Sequence, residues 1–440
     1  MDSSKPQLKL NIRILPFLVG VLLIWQIVSP YRGWVILLVG LGGAWALSYV
    51  WMRILAPNLH LTREMRFGWA QVGDRLVERF TLSNRSSLPL LWVEIIDHST
   101  LPDYRASRGT GVEPNNTIRW HRESYCTRRG LFYLGPTTIK TGDPFGIYTL
   151  SIDYPSSMPL LVVPPIVPLP SIEVAPGGRT GEGRPRNNTL ERTVSVSSVR
   201  EYVPGDSRRW IHWKTSAHRD NLFVRVFDAT PAGDWWILLD MNHFVQAGEG
   251  EDSTEELGVI LAASLADRGI RAGRSVGLMA HGRDLIWLPP EEGEGQRWEI
   301  LRSLAMVKPG NRPLSDLLHR VQHTLGQRTS LVIITPSING VWVEDLLELM
   351  HRGAVPTILL MDPATFATTP QAVEEHQGNL AMMESVLTQI GAAHYVITKD
   401  LLDHPEAHPG EGGRWEWRIL GTGKAVPVKK PTEATWEVIS

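Results

Sequence analysis

The first part of this chain carries no acidic side chain between Asp2 and Glu64. Two apolar runs lie in that interval, Ile14–Val28 and Trp34–Trp51, and a short polar turn separates them. The second run has 18 uncharged residues, so as a helix it measures about 27 Å, close to the hydrocarbon thickness of a bilayer. The pattern therefore predicts a transmembrane helical hairpin over residues 1–56.

The first apolar run leaves room for other interpretations. It is shorter than the second run and spans a bilayer only if residues on either side of it join the helix. A cleaved signal peptide and a buried helical hairpin of a soluble core are the competing interpretations. The run lacks a small-x-small cleavage site, and a second apolar run follows at once, which argues against a signal peptide. Run length and flanking charge together favour the membrane hairpin.

Basic residues on both sides of the hairpin predict its orientation. Lys5, Lys9 and Arg13 precede the first run, only Arg32 lies in the turn, and Arg53 follows the second run. Basic flanks remain on the cytoplasmic side of a membrane. Both termini and the large domains are therefore expected to be cytoplasmic, with a short turn outside. The lipid bilayer is the first partner that the sequence predicts.

Charge and cysteine content exclude some classes of protein. The 44 Lys and Arg residues nearly balance the 46 Asp and Glu residues, which argues against a chain that coats nucleic acid. One cysteine, Cys126, excludes an internal disulfide framework and a Cys-rich zinc module. It also agrees with a cytoplasmic location.

After the hairpin, the chain reads as short strands punctuated by turns. Leu91, Val93 and Ile95 alternate with other side chains, as expected of a strand with one buried face. No long amphipathic helix interrupts the pattern, so residues 57–163 are predicted to form an antiparallel β-sandwich-like domain. Residues 164–190 are rich in proline and glycine and are predicted to be a linker or long surface loop.

The pattern of apolar residues changes in residues 191–440. Short apolar runs, of which Trp235–Met241 is the first, alternate with candidate helices. Such alternation predicts a mostly parallel sheet covered on both faces, and the fold class is therefore α/β. The later apolar runs are Ser275–Met279, Leu331–Thr335 and Val355–Met361, and the candidate helices are Thr254–Asp267, Leu314–Leu325, Val341–Arg352 and Gln371–Ile390.

The segment between residues 200 and 225 is the densest in polar and aromatic side chains. Six Arg or Lys residues face three acids, with Trp210 and Trp213 interleaved. Basic and aromatic side chains together can bind phosphates and stack on bases, so a nucleic-acid-binding module is one interpretation. The balanced overall charge favours the other interpretation, a packed turn, helix and strand, and no nucleic acid is expected as a partner.

This segment closely resembles the signature of the domain of unknown function 58 family. Members commonly show Tyr-x-Pro-Gly-Asp, then Ile-x-Trp, a small residue and a strand with a basic position. The stretches Arg129–Pro136 and Asp143–Gly146 match two further elements, and a two-helix N-terminal anchor is also typical of the family. The matching signature residues are Tyr202, Pro204, Gly205, Asp206, Ile211, Trp213, Ala217, Leu222 and Arg225.

The resemblance implies a membrane-anchored relative of von Willebrand factor A domains in the bacterial inner membrane. Such proteins are commonly encoded beside MoxR-type AAA+ ATPases and are thought to be their partners in the assembly or maturation of other proteins. It implies a non-enzymatic scaffold or adaptor, with the signature residues as interaction residues. Within the signature, Gly205 and Asp206 are expected to shape a turn, and Trp213 to pack it against the first strand.

Von Willebrand A domains bind a metal through an Asp-x-Ser-x-Ser pattern after the first strand. The corresponding run here is Asp240-Met241-Asn242-His243-Phe244. Asp240 suits Mg²⁺ and Asn242 has a carbonyl oxygen, but Phe244 offers no ligand, and Mg²⁺ sites usually rely on one or two carboxylates. A degenerate Mg²⁺ site is thus one interpretation, and a hydrogen-bonded aspartate at the strand end is the favoured one.

No catalytic set is recognisable in the sequence. The alternative from the enzyme class is a metal-dependent or acid–base hydrolase that uses Asp240 or the region of Asp206 and His212.

Overall fold

The protein is described by a computed structural model that covers most of the chain. The described residues are 6–169, 172–175, 196–202, 211–219, 221–227, 234–322, 329–367, 370–403, 416–419, 425–428 and 437–439. The chain divides into two compact units, Met1–Pro165 with Pro409–Ser440 and Ile166–His408. We call them the β unit and the α/β unit.

Two apolar helices open the β unit. Helix α1 covers Ile14–Val28 and helix α2 covers Arg32–Leu55. Among the described residues, the segment Arg32–Asn58 is the one helix whose length and composition suffice to cross a membrane, and α1 is shorter. An extension of α1 towards the N-terminus is not seen, because Asn11 donates its backbone N–H to Ile147 O at 2.8 Å. The second apolar run is thus confirmed as a long apolar helix.

Strands make up the rest of the β unit. A five-stranded sheet has the order β1-β10-β9-β5-β6, a four-stranded sheet β24-β2-β4-β7, and a three-stranded sheet β3-β11-β8, while β22 and β23 form a hairpin. The strands are β1 (Pro6–Leu10), β2 (Leu59–Met65), β3 (Trp69–Gln71), β4 (Arg75–Asn84), β5 (Leu90–Asp97), β6 (Arg108–Val112), β7 (Asn116–Tyr125), β8 (Gly130–Leu134), β9 (Thr137–Gly142), β10 (Tyr148–Tyr154), β11 (Met158–Val163), β22 (Glu416–Ile419), β23 (Ala425–Val428) and β24 (Glu437–Ile439).

The two larger sheets of the β unit contribute to one apolar core. Strand β4 alternates buried and partly exposed side chains along its length, as a strand with one covered face should. The core also contains a buried ion cluster, in which the Arg63 guanidinium donates two hydrogen bonds of 2.8 Å to Glu78 and one of 2.7 Å to Asp97. Because Glu78 is completely buried, this cluster is required to neutralise its charge.

The α/β unit is a six-stranded sheet with helices. The sheet has the order β18-β17-β14-β19-β20-β21; all its pairs are parallel except the edge strand β18. The predicted mixed α/β class is therefore confirmed. The elements are β12 (Val196–Glu201), α3 (Trp213–Arg219), β13 (Phe223–Phe227), β14 (Trp235–Leu239), β15 (Gly248–Glu249), β16 (Asp252–Ser253), α4 (Thr254–Arg271), β17 (Val276–His281), β18 (Leu285–Glu291), α5 (Gly293–Met306), α6 (Leu314–Val321), β19 (Ser330–Thr335), α7 (Val343–His351), β20 (Val355–Met361), α8 (Pro370–Gln389) and β21 (Ala393–Ile397).

Helix α4 shows how local sequence positions these elements. Ser253 caps its N-terminus by accepting the backbone N–H of Glu256 at 3.3 Å. Near its other end, a Cβ on Gly269 would lie 2.7 Å from the indole of Trp235. A glycine is therefore needed where the helix crosses β14.

The proline-rich segment is packed where the structure describes it. Val167 is buried and donates its backbone N–H to Ser264 Oγ at 3.0 Å, and Ala175 donates to Thr357 Oγ1 at 2.9 Å. Residues 166–169 and 172–175 therefore line the α/β unit, which differs from the linker or surface loop that composition suggested. Residues 170–171 and 176–190 of the predicted linker lie outside the described residues.

Candidate functional site at the carboxyl edge of the α/β sheet

The strand order of the α/β unit reverses between β14 and β19. The chain passes from β14 to β17 on one side, and returns to place β19 on the other side of β14. Open α/β sheets bind ligands outside the carboxyl ends of the strands at such a point. Asp240 directly follows β14 and Thr335 ends β19, so the topology places both residues at the position where a functional site is expected.

The carboxylate of Asp240 is occupied by hydrogen bonds from its own unit. Oδ2 accepts the hydroxyl of Thr335 at 2.7 Å, and Oδ1 accepts the backbone N–H of Asn242 at 3.0 Å. The Thr335 hydroxyl in turn accepts the backbone N–H of Ser337 at 3.0 Å. The side chain therefore ties together the loops that follow β14 and β19.

Burial governs the acidity of this carboxyl group. Asp240 is 2% exposed, and its burial raises the pKa to about 6, although the hydrogen bonds from Thr335 and Asn242 oppose the rise. No basic side chain is among the causes of this shift. At neutral pH the unit thus holds a buried carboxylate that hydrogen bonds stabilise only in part.

These residues do not fit a Mg²⁺ ion. Asp240 offers one carboxylate with both oxygens engaged, and Asn242 Oδ1 accepts the backbone N–H of Phe244 at 3.2 Å. Mg²⁺ demands near-octahedral oxygen coordination, whereas Asp240 Oδ1 and Asn242 Oδ1 accept backbone N–H groups of their own loop and Asp240 Oδ2 accepts the Thr335 hydroxyl. Within the part of the chain that the structure describes, no group of three or more His, Cys, Asp or Glu side chains could hold a metal ion.

Neighbouring loops close tightly beneath this edge. Gly310 donates its backbone N–H to Met241 O at 2.9 Å and accepts that of His243 at 2.8 Å. A Cβ on Gly310 would lie 2.1 Å from Gly282 O, and one on Gly282 would lie 1.8 Å from Lys308 O. Because backbone atoms approach so closely, both positions require glycine.

The loop after β14 exposes an aromatic side chain. Phe244 is 73% exposed, and its ring lies 3.8 Å from the His243 ring between centroids. The His243 Nδ1 atom lies 3.0 Å from Gly310 O, which holds the imidazole in place beneath the phenyl ring. Val341, after β19, is equally exposed. Sequence reasoning identified Phe244 only as a missing ligand, and its exposure is the feature that it missed.

The family-signature segment forms a strand pair with a short helix. Strand β12 pairs with β13 in antiparallel register, Ile211 is buried and bridges to Val224, and Tyr202 donates its backbone N–H to Leu222 O at 2.8 Å. Arg225 lies on β13. Pro204, Gly205 and Asp206, for which a turn is predicted, lie outside the described residues.

Two side chains, those of His212 and Ser216, hold helix α3 in place, whereas the sequence suggested His212 only as part of a possible acid–base site and did not single out Ser216. His212 Nδ1 accepts the backbone N–H of Thr215 at 3.2 Å, and Ser216 Oγ donates to His212 O at 3.1 Å. Ser216 Oγ also accepts the backbone N–H of Phe223 at 2.9 Å. The spacing of His212 and Ser216, one helical turn apart, was the available signal.

Trp213 differs from its prediction. It was expected to pack the signature against the first strand, but its side chain is 67% exposed, and Ala217, one turn later, is exposed as well. The packing prediction for Trp213 is therefore wrong. The apolar contacts of the segment come from Ile211, Phe223 and Val224 instead, all of which are buried.

Comparison with known proteins agrees with the signature. The family described as "Protein of unknown function DUF58" matches residues 198–371. The matched region runs from β12 into α8 and includes the Asp240 loop. The "Uncharacterized protein YeaD" of Bacillus subtilis (strain 168) is 24% identical over 327 residues, which cover 72% of this chain and 78% of YeaD. Neither description states a function.

Solved structures give weaker similarity. The crystal structure of the SpRpn10 VWA domain covers 40% of this chain and 97% of that domain, with 13% identity and a TM-score of 0.26. A β-glucosidase from Listeria innocua, in complex with glucose, covers 24% of this chain at 10% identity and a TM-score of 0.17, and this chain spans 16% of that enzyme.

Proposed function

We propose that the protein is a membrane-anchored, non-enzymatic scaffold or adaptor whose two units bind protein partners. A MoxR-type AAA+ ATPase is the proposed partner, and assembly or maturation of other proteins is the proposed role. We place the protein in the bacterial inner membrane as a multi-pass protein, with the hairpin turn outside and the large units in the cytoplasm. The family resemblance supports the ATPase partner, and the basic flanks of the hairpin support the orientation.

One observation carries the proposal: the loop after β14 exposes the aromatic ring of Phe244, while the Asp240 carboxylate of the same loop is satisfied internally. Exposed aromatic side chains that cluster on a surface are typical of protein contacts. Phe244 occupies the position of a metal ligand in von Willebrand A domains, to which we assign the α/β unit on its strand order. We infer that this edge binds protein directly rather than through a metal.

The enzyme alternative has less support from the same residues. A general acid or base must come within hydrogen-bond reach of the substrate. Both oxygens of Asp240 are bonded to Thr335 and Asn242, and the carboxyl group is buried. A nucleic-acid-binding module remains the second alternative, and its test is binding of a single-stranded oligonucleotide that weakens steeply with salt.

Site-specific photocrosslinking tests the proposal. A photoreactive phenylalanine analogue replaces Phe244 in the full-length protein in bacterial membranes, and the crosslinked products are identified by mass spectrometry. We expect a crosslink to an AAA+ ATPase at this position. The matched control is the same analogue at Leu285, which is 40% exposed on the edge strand β18 of the same unit.

The two positions separate the outcomes. A crosslink to the ATPase at position 244 and none at position 285 supports the proposal. No protein crosslink at position 244, or equal crosslinking at both positions, contradicts it. A variant with Phe244 replaced by serine should also lose the ATPase in a detergent pull-down with purified components while retaining its folded α/β unit.

A further inference from the structure

The apolar hairpin is built into the β unit rather than tethered to it. Trp45 Nε1 donates to the Tyr148 hydroxyl at 2.7 Å, and Ser48 Oγ donates to Asp143 Oδ2 at 2.8 Å. Ser48 and Asp143 are both buried, and Met52 of the same helix belongs to the core of the β unit. The second half of α2 is therefore held by β10 and by the loop before it.

This docking sets the depth of the β unit relative to a bilayer. Arg32 and Arg53 bracket the apolar part of α2, and at 1.5 Å per residue they lie about 31 Å apart, which matches a hydrocarbon core of about 30 Å. Trp45 and Ser48 lie about 7 to 12 Å from Arg53 toward the hairpin turn. Tyr148 and Asp143, which bond these two side chains, must lie at the same depth as Trp45 and Ser48. That depth is within the leaflet on the Arg53 side of the bilayer, which we call the near leaflet.

The loop at this level carries an exposed aromatic ring. It joins β9 to β10, and the Asp143 carboxylate accepts the backbone N–H groups of Phe145 and Tyr148 at 2.9 and 2.5 Å. The loop thus satisfies its polar groups internally, while Phe145 is 53% exposed. Trp92 on β5 packs against Gly142 at the end of β9, since a Cβ on Gly142 would lie 2.7 Å from the indole, and Trp92 is 43% exposed.

The short first helix agrees with this depth. Asn11 Nδ2 donates to Gly146 O at 3.3 Å and to Thr149 Oγ1 at 2.7 Å, so α1 begins beside the same loop. Its 15 residues extend about 22 Å. If the loop lay outside the bilayer, α1 would be too short to cross the hydrocarbon core. If the loop lies within the near leaflet, α1 begins inside the bilayer and is long enough to reach the other side. Arg13 and Arg53 are exposed, and basic side chains at a membrane interface can bind anionic headgroups.

We propose that Phe145 and Trp92 insert into the near leaflet of the bilayer at the base of the hairpin. The β unit is then seated in the membrane interface, its exposed apolar surface continuous with that of the hairpin. Aromatic side chains favour this interface. The inference rests on the proposed membrane anchoring.

Single-cysteine labelling tests the insertion. Cys126 is completely buried, and burial raises the pKa of its thiol to about 12, so that the native cysteine should stay unlabelled. An environment-sensitive fluorophore is attached to Phe145→Cys, to Leu131→Cys on β8, or to Val39→Cys on α2, in the full-length protein in phosphatidylglycerol–phosphatidylethanolamine vesicles. Leu131, 45% exposed, is the matched control on another sheet, and Val39 reports the hairpin.

We expect doxyl-labelled lipid to quench the label at position 145, with protection from aqueous iodide and a blue-shifted emission, as at position 39. The label at position 131 should show the opposite behaviour. If position 145 is quenched by iodide like position 131 while position 39 is quenched by lipid, the insertion is overturned and the anchor stands. If position 39 is also open to iodide, the membrane anchoring itself is wrong. If lipid quenches the label at position 131 as strongly as the label at position 145, the insertion is also overturned. A label on Trp92→Cys repeats the test at the second proposed site.

Discussion

Replacing Asp240 by asparagine is expected to stabilise the α/β unit at neutral pH. Asparagine has the shape of aspartate and resembles its protonated form, with one acceptor oxygen and one donor group. Its oxygen can accept the backbone N–H of Asn242, and its amide can donate to Thr335 Oγ1, which now donates to the carboxylate. The substitution therefore removes a buried charge and retains the contacts that join the two loops.

The magnitude follows from the acidity of the buried group. The pKa of Asp240 is raised from 3.8 to about 6, and each pKa unit corresponds to about 1.4 kcal/mol. The unfolded chain loses this proton near the lower value and the folded chain near the higher one, so the contribution of Asp240 is largest at low pH and is lost as pH rises from about 4 to 6. At pH 8 the ionised group costs about 3 kcal/mol relative to a neutral side chain.

Hydrogen–deuterium exchange measures this effect in the intact protein. A two-unit protein need not unfold in one transition, so the full-length protein in detergent is followed through peptides of β14 and β19 in increasing urea. Between pH 5 and pH 8, the free energy of opening should fall for the wild-type protein by about 1.4 kcal/mol more than for the Asp240→Asn variant. The matched control is Asp362→Asn, at the end of β20, whose carboxylate accepts the backbone N–H of Ala364 at 2.8 Å and which should give no gain.

Two results would refute the reasoning. One is a loss of stability in the Asp240→Asn variant at pH 8, and the other is an unchanged difference between pH 5 and pH 8. Either would mean that the carboxylate is compensated by a charge in the native environment. If Mg²⁺ raised the stability of the wild-type protein but not that of the variant, that compensating charge would be a metal ion.

Three further substitutions or reactions test the packing of both units. Arg63→Met should destabilise the β unit by about 3 to 5 kcal/mol in exchange measurements, since it leaves the buried Glu78 carboxylate without its counter-ion. The control Arg75→Met removes an exposed ion pair and should change the stability by less than about 1 kcal/mol. Equal effects of the two substitutions would contradict the role of the cluster. Cys126, fully buried, should not react with maleimide at pH 8 until urea unfolds the β unit, and rapid labelling of the native protein would show that the core opens. Gly310→Ala should destabilise the α/β unit by at least about 1 to 3 kcal/mol, because its Cβ would lie 2.1 Å from a backbone oxygen, and a neutral result would show that the two loops can separate.

Elements with a strong local pattern could be predicted from the sequence alone. The apolar run Trp235–Met241 contains β14, and the helix predicted over Thr254–Asp267 is α4, extended by one turn. Both depend on periodicity and capping within a short stretch, which local residues determine. The proline-rich segment was predicted less well, because its partners, Ser264 and Thr357, lie far along the chain.

The candidate site likewise has features that the sequence could predict and features that it could not. Asp240 could be found because an acid after an apolar strand is a local signal. That its carboxylate is bonded to Thr335, 95 residues away, depends on the order of the strands in the sheet. The exposure of Trp213 and Phe244 could not be read from residue type, because an aromatic side chain packs inward or outward according to the neighbours that the fold brings to it.

The sequence by itself determined that this protein has an apolar N-terminal hairpin, a strand-rich region and an α/β region, since run length and period specify such elements. Only the tertiary structure decided that Ser48 and Trp45 bond to the β unit, and that Phe145 is left exposed beside them. The physical reason is that burial and hydrogen bonding join residues distant in sequence, so they depend on sheet order and register. The proposed depth in a bilayer depends on such contacts, because it follows from what the helix is docked against as well as from the length of its apolar run.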